Sequence, residues 1–191
     1  MSKIMKSICV FCGSSDGNDP LITKAAIALA DALLERNNHL VYGGAKIGIM
    51  GAIAQRVIDG GGRVIGIIPA FLKKKEVVHT QLFELITTKN MNDRKLKMLE
   101  VSDGFITLPG GFGTLEELFE IATALQLGQH KKPIGLLNIN GFYDELLASL
   151  QKMVVLGFVK QHNLDLVLVD TTVEGLLCKM DDFKAPDKAV W

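Results

Sequence analysis

The sequence predicts an α/β fold, a doubly wound parallel sheet with helices on both faces, three layers (α-β-α) in all. Three observations predict it. Short apolar runs alternate with amphipathic helical patterns along the whole 191 residues, and such alternation is the mark of a parallel sheet. Runs such as VIGIIP (64–69) and IGLLNI (134–139) are apolar on both faces, as strands covered on both sides must be. Three runs pass directly into glycine turns: CGSS (12–15), YGGAKIGIMG (42–51) and LPGGFGT (108–114). Ligands of doubly wound sheets bind beyond the carboxyl ends of the strands, so these three turns should share one rim.

Taken in order, SICVFCG (7–13) predicts a strand and PLITKAAIALADALLERN (20–37) an amphipathic helix. The AAIALADALL stretch of that helix is apolar enough to bury more than one face. HLVYGG (39–44), GIMGAIAQRVIDGGG (48–62) and RVIGIIP (63–69) read as strand, helix and strand. A basic loop, FLKKKEVVH (71–79), leads to a short extended piece, LFELITTK (82–89). The helix NDRKLKMLEVSD (92–103) precedes the strand GFITLPGG (104–111), and a further helix covers about 114–128. KPIGLLNI (132–139), the helix YDELLASLQKMVVLGF (143–158), LDLVLVD (164–170) and the helix TVEGLLCKMDDF (172–183) complete the pattern. With no linker, repeat or low-complexity run, residues 1–191 read as a single domain.

Bulk composition excludes several classes. Lys plus Arg balance Asp plus Glu at 21 each, which argues against a general nucleic-acid binder, since such proteins need a basic field. No apolar stretch approaches the roughly 18 residues of a membrane span. The N-terminal MSKIMKSICVFCGSS has too short an apolar run for a signal peptide. Three cysteines without an export signal suit a reducing cytoplasm. Cys9 and Cys12 form C-x-x-C, but a redox pair wants its first thiol at a helix N-terminus; these two lie along a strand and read as core. His39, His79, His130 and His162 are scattered and suggest no metal site. Lys73 to Lys75 read as a solvated run.

The glycine turns miss the common nucleotide fingerprints. GGAKIG (43–48) has P-loop spacing, but Ile49 and Met50 stand where that loop needs Lys and Ser or Thr. GFGTLE (111–116) places Glu116 where a dinucleotide turn needs its third glycine, and HLVYGG lacks the acid that would hold an adenosine ribose. What remains suits one phosphate group. Gly110, Gly111 and Gly113 leave backbone N–H groups open at a helix N-terminus, and Thr114 adds a hydroxyl. A nucleoside monophosphate or sugar phosphate fits this turn better than a triphosphate.

Three carboxylates follow the anion turn at once: Glu116, Glu117 and Glu120. On a helical wheel they share one face with Thr123, opposite Leu115, Leu118, Phe119, Ala122 and Leu125. They could form a solvated acidic face favoured by the helix dipole. Alternatively, Glu117 could close a capping box begun by Thr114, or serve chemistry on a sugar next to the phosphate. Upstream, MNDRK (91–95) puts Arg94 and Lys95 in the first turn of a helix, where cations oppose the dipole. Either Asp93 or Glu100 holds them at the surface, or they are needed at the rim beside Glu117.

PGGFGTLEE (109–117) with MNDRK upstream resembles the Lonely Guy (LOG) family, the cytokinin-activating phosphoribohydrolases. CVFCGSS, LVYGGAKIGIMG, VIGIIP and LGQHKKPIGLLNINGFYDELL also resemble that family, in order and over nearly the full length. The resemblance implies a Rossmann-like fold, a homodimer, and hydrolysis of N6-substituted adenosine 5′-monophosphates to free base and ribose 5-phosphate without a cofactor or metal. Arg94 and Glu117 then fall on the positions needed for activity. Lys95, Gly110, Gly111, Gly113, Thr114, Glu116 and Thr123 fall on substrate contacts, as does Glu76. Gly13, Ser14, Gly43 and Gly44 are expected as further rim contacts. Asn92 stands where many relatives carry histidine. On this reading the glycine turn seats the 5′-phosphate and Glu117 stabilises an oxocarbenium-like ribosyl cation while orienting or deprotonating water. Two other functions suit the same residues: a nucleosidase acting on AMP, and a non-catalytic nucleotide sensor or carrier. The label lysine decarboxylase, often given to such proteins, would need a Schiff-base lysine for pyridoxal phosphate, and nothing in the sequence marks one.

Overall fold

The computed structural model describes residues 5–73 and 78–186. Its strands are β1 (Ser7–Phe11), β2 (His39–Tyr42), β3 (Val64–Pro69), β4 (Glu84–Thr88), β5 (Gly104–Thr107), β6 (Ile134–Leu137) and β7 (Val167–Asp170). The helices are α1 (Pro20–Glu35), α2 (Gly48–Asp59), α3 (Met91–Val101), α4 (Phe112–Gln126), α5 (Asp144–Val155), α6 (Gln161–Leu164) and α7 (Val173–Asp181). All strand pairings are parallel, in the order β4-β3-β2-β1-β5-β6-β7. The chain winds outward from β1 to β4, then returns to β5 on the other side of β1. Strand order therefore reverses between β1 and β5, and the rim beyond them is the fold's binding position.

Strand alternation divides the core into two layers. Ile8, Val10 and Cys12 pack with Leu29 of α1, Ile53 of α2 and Leu177 of α7. Cys9 and Phe11 pack on the opposite face, with Met98 of α3 and Leu118 and Ile121 of α4. Cys9 and Cys12 are therefore on opposite faces of the sheet, both buried and free, and the C-x-x-C is two core positions.

Local chemistry sets the helix starts. Asp19 caps α1 by accepting the Leu21 N–H at 2.9 Å, with Pro20 in the first turn. Asn90 caps α3 by accepting the Asp93 N–H at 2.8 Å, and Thr172 caps α7. Three local features depart from the sequence reading. The short helix α6 and a turn of 3-10 helix at Ile139–Gly141 were not anticipated. The motif helix α4 begins at Phe112, about two residues early, because β5 ends at Thr107 and Leu108–Gly111 already make the turn. Among the described residues no helix lies between β3 and β4, and β4 is an edge strand with no fully buried residue.

A candidate active site at the switch point

Backbone contacts tie the rim turns together. Gly13 N–H donates to the Pro109 carbonyl at 3.2 Å, and Leu108 N–H to the Phe11 carbonyl at 2.9 Å, linking the β1 and β5 turns. Met50 N–H donates to the Gly13 carbonyl at 3.2 Å, joining the start of α2 to the same turn. Beyond them lies a cavity of about 280 Å³ walled by Gly13, Ser14, Gly43, Arg94, Gly111, Gly113, Thr114 and Glu117, among others. Two expected rim glycines are not on that wall. Gly44 (φ +83°) turns the chain, and a Cβ there would stand 3.5 Å from Ile68 Cβ. Gly110 is packed shut, since a Cβ there would lie 2.7 Å from Thr114 Cβ and 2.9 Å from the Gly13 nitrogen.

Helix α4 opens on this cavity with Gly111 as its N-cap and no side chain bonded to its first turn. The first N–H groups of any helix lack intrahelical acceptors and carry the positive end of its dipole. Thr114 is the third helical residue and is buried, so it is not an N-cap and the capping box with Glu117 does not form. A Cβ at Gly111 or Gly113 would meet nothing within 4 Å. Protein packing therefore does not require glycine at either position; a side chain there would occupy open space.

Arg94 and Glu117 face each other across the floor. The arginine is 8% exposed. Its Nε donates to the Ile67 carbonyl of β3 at 3.0 Å, and its Nη1 lies 3.8 Å from Glu117 Oε1. A Cβ at Gly43 would collide with Arg94 Nη2 and stand 2.8 Å from Met50 Sδ, so the β2 turn forms the wall behind the guanidinium. Arg94 is thus held by the sheet rather than by Asp93 or Glu100; Glu100 pairs with Lys97. Burial pushes the Glu117 carboxyl up to about 7, with Arg94 opposing that rise and Glu116 and Glu120 adding to it. At 3.8 Å the pair is an ion contact too long for a direct hydrogen bond, so both groups retain bonding capacity for a ligand.

Lys95, Glu116 and Thr123 lie on a second cavity, about 490 Å³, between α3 and α4. Lys95 crosses from α3 to pair with both Glu116 and Glu120 on α4. Beside them Leu96, Leu99, Phe119 and Leu127 supply apolar wall, Thr123 and Gln129 supply polar wall, and Glu117 lines both cavities. Asn92 is exposed on α3, and Glu76 lies outside the described residues. Sequence reasoning missed Cys12, Met50 and Met91, which line the first cavity; an apolar or thiol side chain carries no signal for an anion site. It also missed Tyr143, whose buried hydroxyl donates to the Leu108 carbonyl at 2.7 Å and pins the start of the P-G-G turn.

A family model described as "Possible lysine decarboxylase" matches residues 50–180. The cytokinin riboside 5′-monophosphate phosphoribohydrolase LOG2 of Arabidopsis thaliana is 47% identical over 193 residues, covering 97% of this chain and 90% of that protein. The chain belongs to the LOG family. LOG1 of the same plant is 44% identical, with coverage of 97% and 90%. Among solved structures, the LOG-family chain resembles the molybdenum cofactor binding protein of Rippkaea orientalis, with TM-score 0.68, 26% identity and coverage of 93% and 96%. It also shares the fold of the Moco carrier protein of Chlamydomonas reinhardtii, with TM-score 0.67, 21% identity and coverage of 93% and 96%. The decarboxylase wording finds no support in the site. Lys95, the lysine on these cavity walls among the described residues, is held in its charged form: burial acts against the charge, but its bonds to Glu116 and Glu120 outweigh it. A Schiff-base lysine needs the opposite, an easily neutralised amine. No described helix is long and apolar enough to cross a membrane.

Proposed function

We propose that this LOG-family protein hydrolyses the N-glycosidic bond of N6-substituted adenosine 5′-monophosphates, giving the free base and ribose 5-phosphate. The observation that carries the reading is a buried carboxyl raised to about 7, 3.8 Å from a buried arginine, beside an uncapped helix N-terminus. The α4 terminus, through Gly111, Gly113 and Thr114, takes the 5′-phosphate. Gly13, Ser14 and Gly43 complete that end of the cavity. Ionised Glu117 stabilises the ribosyl cation and takes a proton from water as the water oxygen bonds C1′ and the C1′–N9 bond breaks. The electron pair of the broken bond leaves with the purine, and the proton gained by Glu117 balances the one the purine acquires. Arg94 favours the ionised form of Glu117 against the effect of burial and contacts the phosphoribosyl group. The base and its N6 substituent extend along the second cavity, past Lys95, Glu116 and Thr123 to the apolar wall of Leu96, Leu99, Phe119 and Leu127. Glu76 is assigned as a further substrate contact.

This chemistry needs no cofactor or metal. We further infer a single domain working as a homodimer in the cytoplasm. Supporting the dimer are the family and the exposed apolar side chains at the mouths of the cavities, Phe112, Leu96 and Phe119. Supporting the reducing compartment are three free thiols.

The test is release of free base from AMP and from N6-isopentenyladenosine monophosphate, side by side, by wild type, E117Q and R94A. The expected result is preference for the isopentenyl substrate and a loss in E117Q of about 10²–10⁴-fold in kcat, the usual worth of a positioned base, with nucleotide still bound. Comparable turnover of AMP would make it a salvage nucleosidase, and tight binding without release would make it a sensor or carrier. An E117Q enzyme with substantial kcat would remove Glu117 from the mechanism.

A further inference from the structure

We propose that His79 is a positioning residue for the reaction assigned above: it clamps the β2 turn against Arg94 and so sets the approach of Arg94 to Glu117.

His79 lies outside both cavities and is 6% exposed, yet all three of its nitrogens are bonded. Nδ1 accepts the Gln81 N–H at 3.3 Å, so the ring proton belongs on Nε2, which donates to Gln55 Oε1 at 3.1 Å. Gln55 Nε2 in turn donates to Asp59 Oδ1 at 2.7 Å, which fixes the orientation of the amide. The charged groups facing the ring are Lys46 and Asp59; burial, then Lys46, favours the neutral form, with Asp59 opposing. The ring is therefore a neutral bolt between residues 79–81 and the outer side of α2.

That bolt holds backbone which reaches the site. His79 N–H donates to the Gly44 carbonyl at 3.1 Å, and Val78 bridges Ala45. Gly44 faces β3, where a Cβ on it would make van der Waals contact, 3.5 Å from Ile68 Cβ and 3.7 Å from the Ile67 nitrogen. The Ile67 carbonyl receives Arg94 Nε, and Gly43 leaves no room between itself and Arg94 Nη2. Arg94 is thus seated between β3 and the β2 turn, and His79 holds that turn in place from behind. If the turn moves away, the guanidinium loses its back wall and recedes from Glu117.

An apolar filler at 79 would keep the packing and lose the bolt. H79L keeps the volume without hydrogen bonds, whereas H79Q restores an N–H near the Nε2 position for Gln55. The two are compared with wild type by thermal unfolding, by kcat and KM for base release, and by the Glu117 carboxyl pKa. That pKa is read by ¹³C NMR in ligand-free protein and assigned with E117Q. Arg94 favours the ionised form of Glu117, while burial, Glu116 and Glu120 disfavour it and Lys95 assists it. Retreat of Arg94 should therefore raise the pKa by about half a unit or more. H79L should also lose about tenfold in kcat with KM within about threefold, and H79Q should recover most of both effects. If H79L does not fold, Q55L breaks the same bolt from α2 and carries the same expectation. An unchanged Glu117 pKa in a folded H79L or Q55L overturns the proposal, whatever the substrate. A raised pKa in a protein that releases no base from any nucleotide would support the positioning role and refute the assigned reaction.

Discussion

Replacing Gly113 by alanine should stabilise the protein and damage its activity. Gly113 is the second residue of α4, and a Cβ there would meet nothing within 4 Å. The folded state therefore accepts the methyl without strain, and alanine removes unfolded-state freedom, worth about 0.5–1 kcal/mol in a helix. For a chain of this size that corresponds to a rise in Tm of roughly 1–4 °C. The same methyl enters the space in front of the helix N–H groups where the phosphate is assigned. Loss of one hydrogen bond to a charged group costs about 1.5–3 kcal/mol, or roughly 10- to 100-fold in kcat/KM. Thermal unfolding without ligand and base release with saturating and sub-saturating nucleotide measure the two sides separately. A lower Tm would refute the claim that the space is free. A higher Tm with unchanged kcat/KM would refute the claim that phosphate occupies it.

Two more substitutions probe the floor of the site. E117Q should be more stable than wild type at pH 8, because the folded carboxyl titrates near 7 rather than at its ordinary 4.5. A carboxyl raised on folding binds more protons in the folded than in the unfolded state between those two values. Its ionisation therefore costs stability as pH rises through that window, by up to about 3 kcal/mol. The E117Q advantage should fade as pH falls from 7 towards 4.5, and chemical denaturation at several pH values reads it; an advantage independent of pH would refute the raised pKa. In wild type, kcat/KM should rise with pH to a limb near 7, and a limb near 4.5 would show a solvated carboxylate. G43A should behave oppositely to G113A, since its methyl collides with Arg94 and Met50. Overpacking of this kind costs about 1–3 kcal/mol, and displacement of the guanidinium should lower kcat by an order of magnitude or more; a stable, active G43A would show that the β2 turn does not seat Arg94.

The sheet was legible in the sequence because its inner strands had to be apolar on both faces, a pattern few other structures produce. The rim followed from the three strands that ran into glycine. What the pattern could not assign was the division of labour among those glycines. Gly110, Gly111 and Gly113 look alike as letters, but Gly110 is closed by Thr114 and Gly13, whereas the other two face open space. That difference depends on where α4 begins, and a two-residue shift decides it. The same shift undid the capping box, because Thr114 passes from N-cap to third helical residue. His79 was illegible for another reason: a lone histidine in a basic loop carries no periodic signal, and its bonds reach Gln55 and Gly44, far away in sequence.

Arg94 and Glu117 set contrary requirements that explain why so much of the surrounding chain is committed to holding them. A buried carboxylate is stabilised by a close cation, but a hydrogen-bonded ion pair would be too satisfied to act on a ligand. At 3.8 Å the pair sits between these limits, with the carboxyl still protonated about half the time near pH 7. Nothing intrinsic to arginine and glutamate maintains such a gap; left alone, two flexible side chains would close it. The Ile67 carbonyl draws the guanidinium back through Nε, and the Gly43 turn limits how far it retreats. The spacing is thus a property of the backbone of β2 and β3 rather than of the two charged residues. Substitutions in those strands should change the pKa of Glu117 without touching either member of the pair.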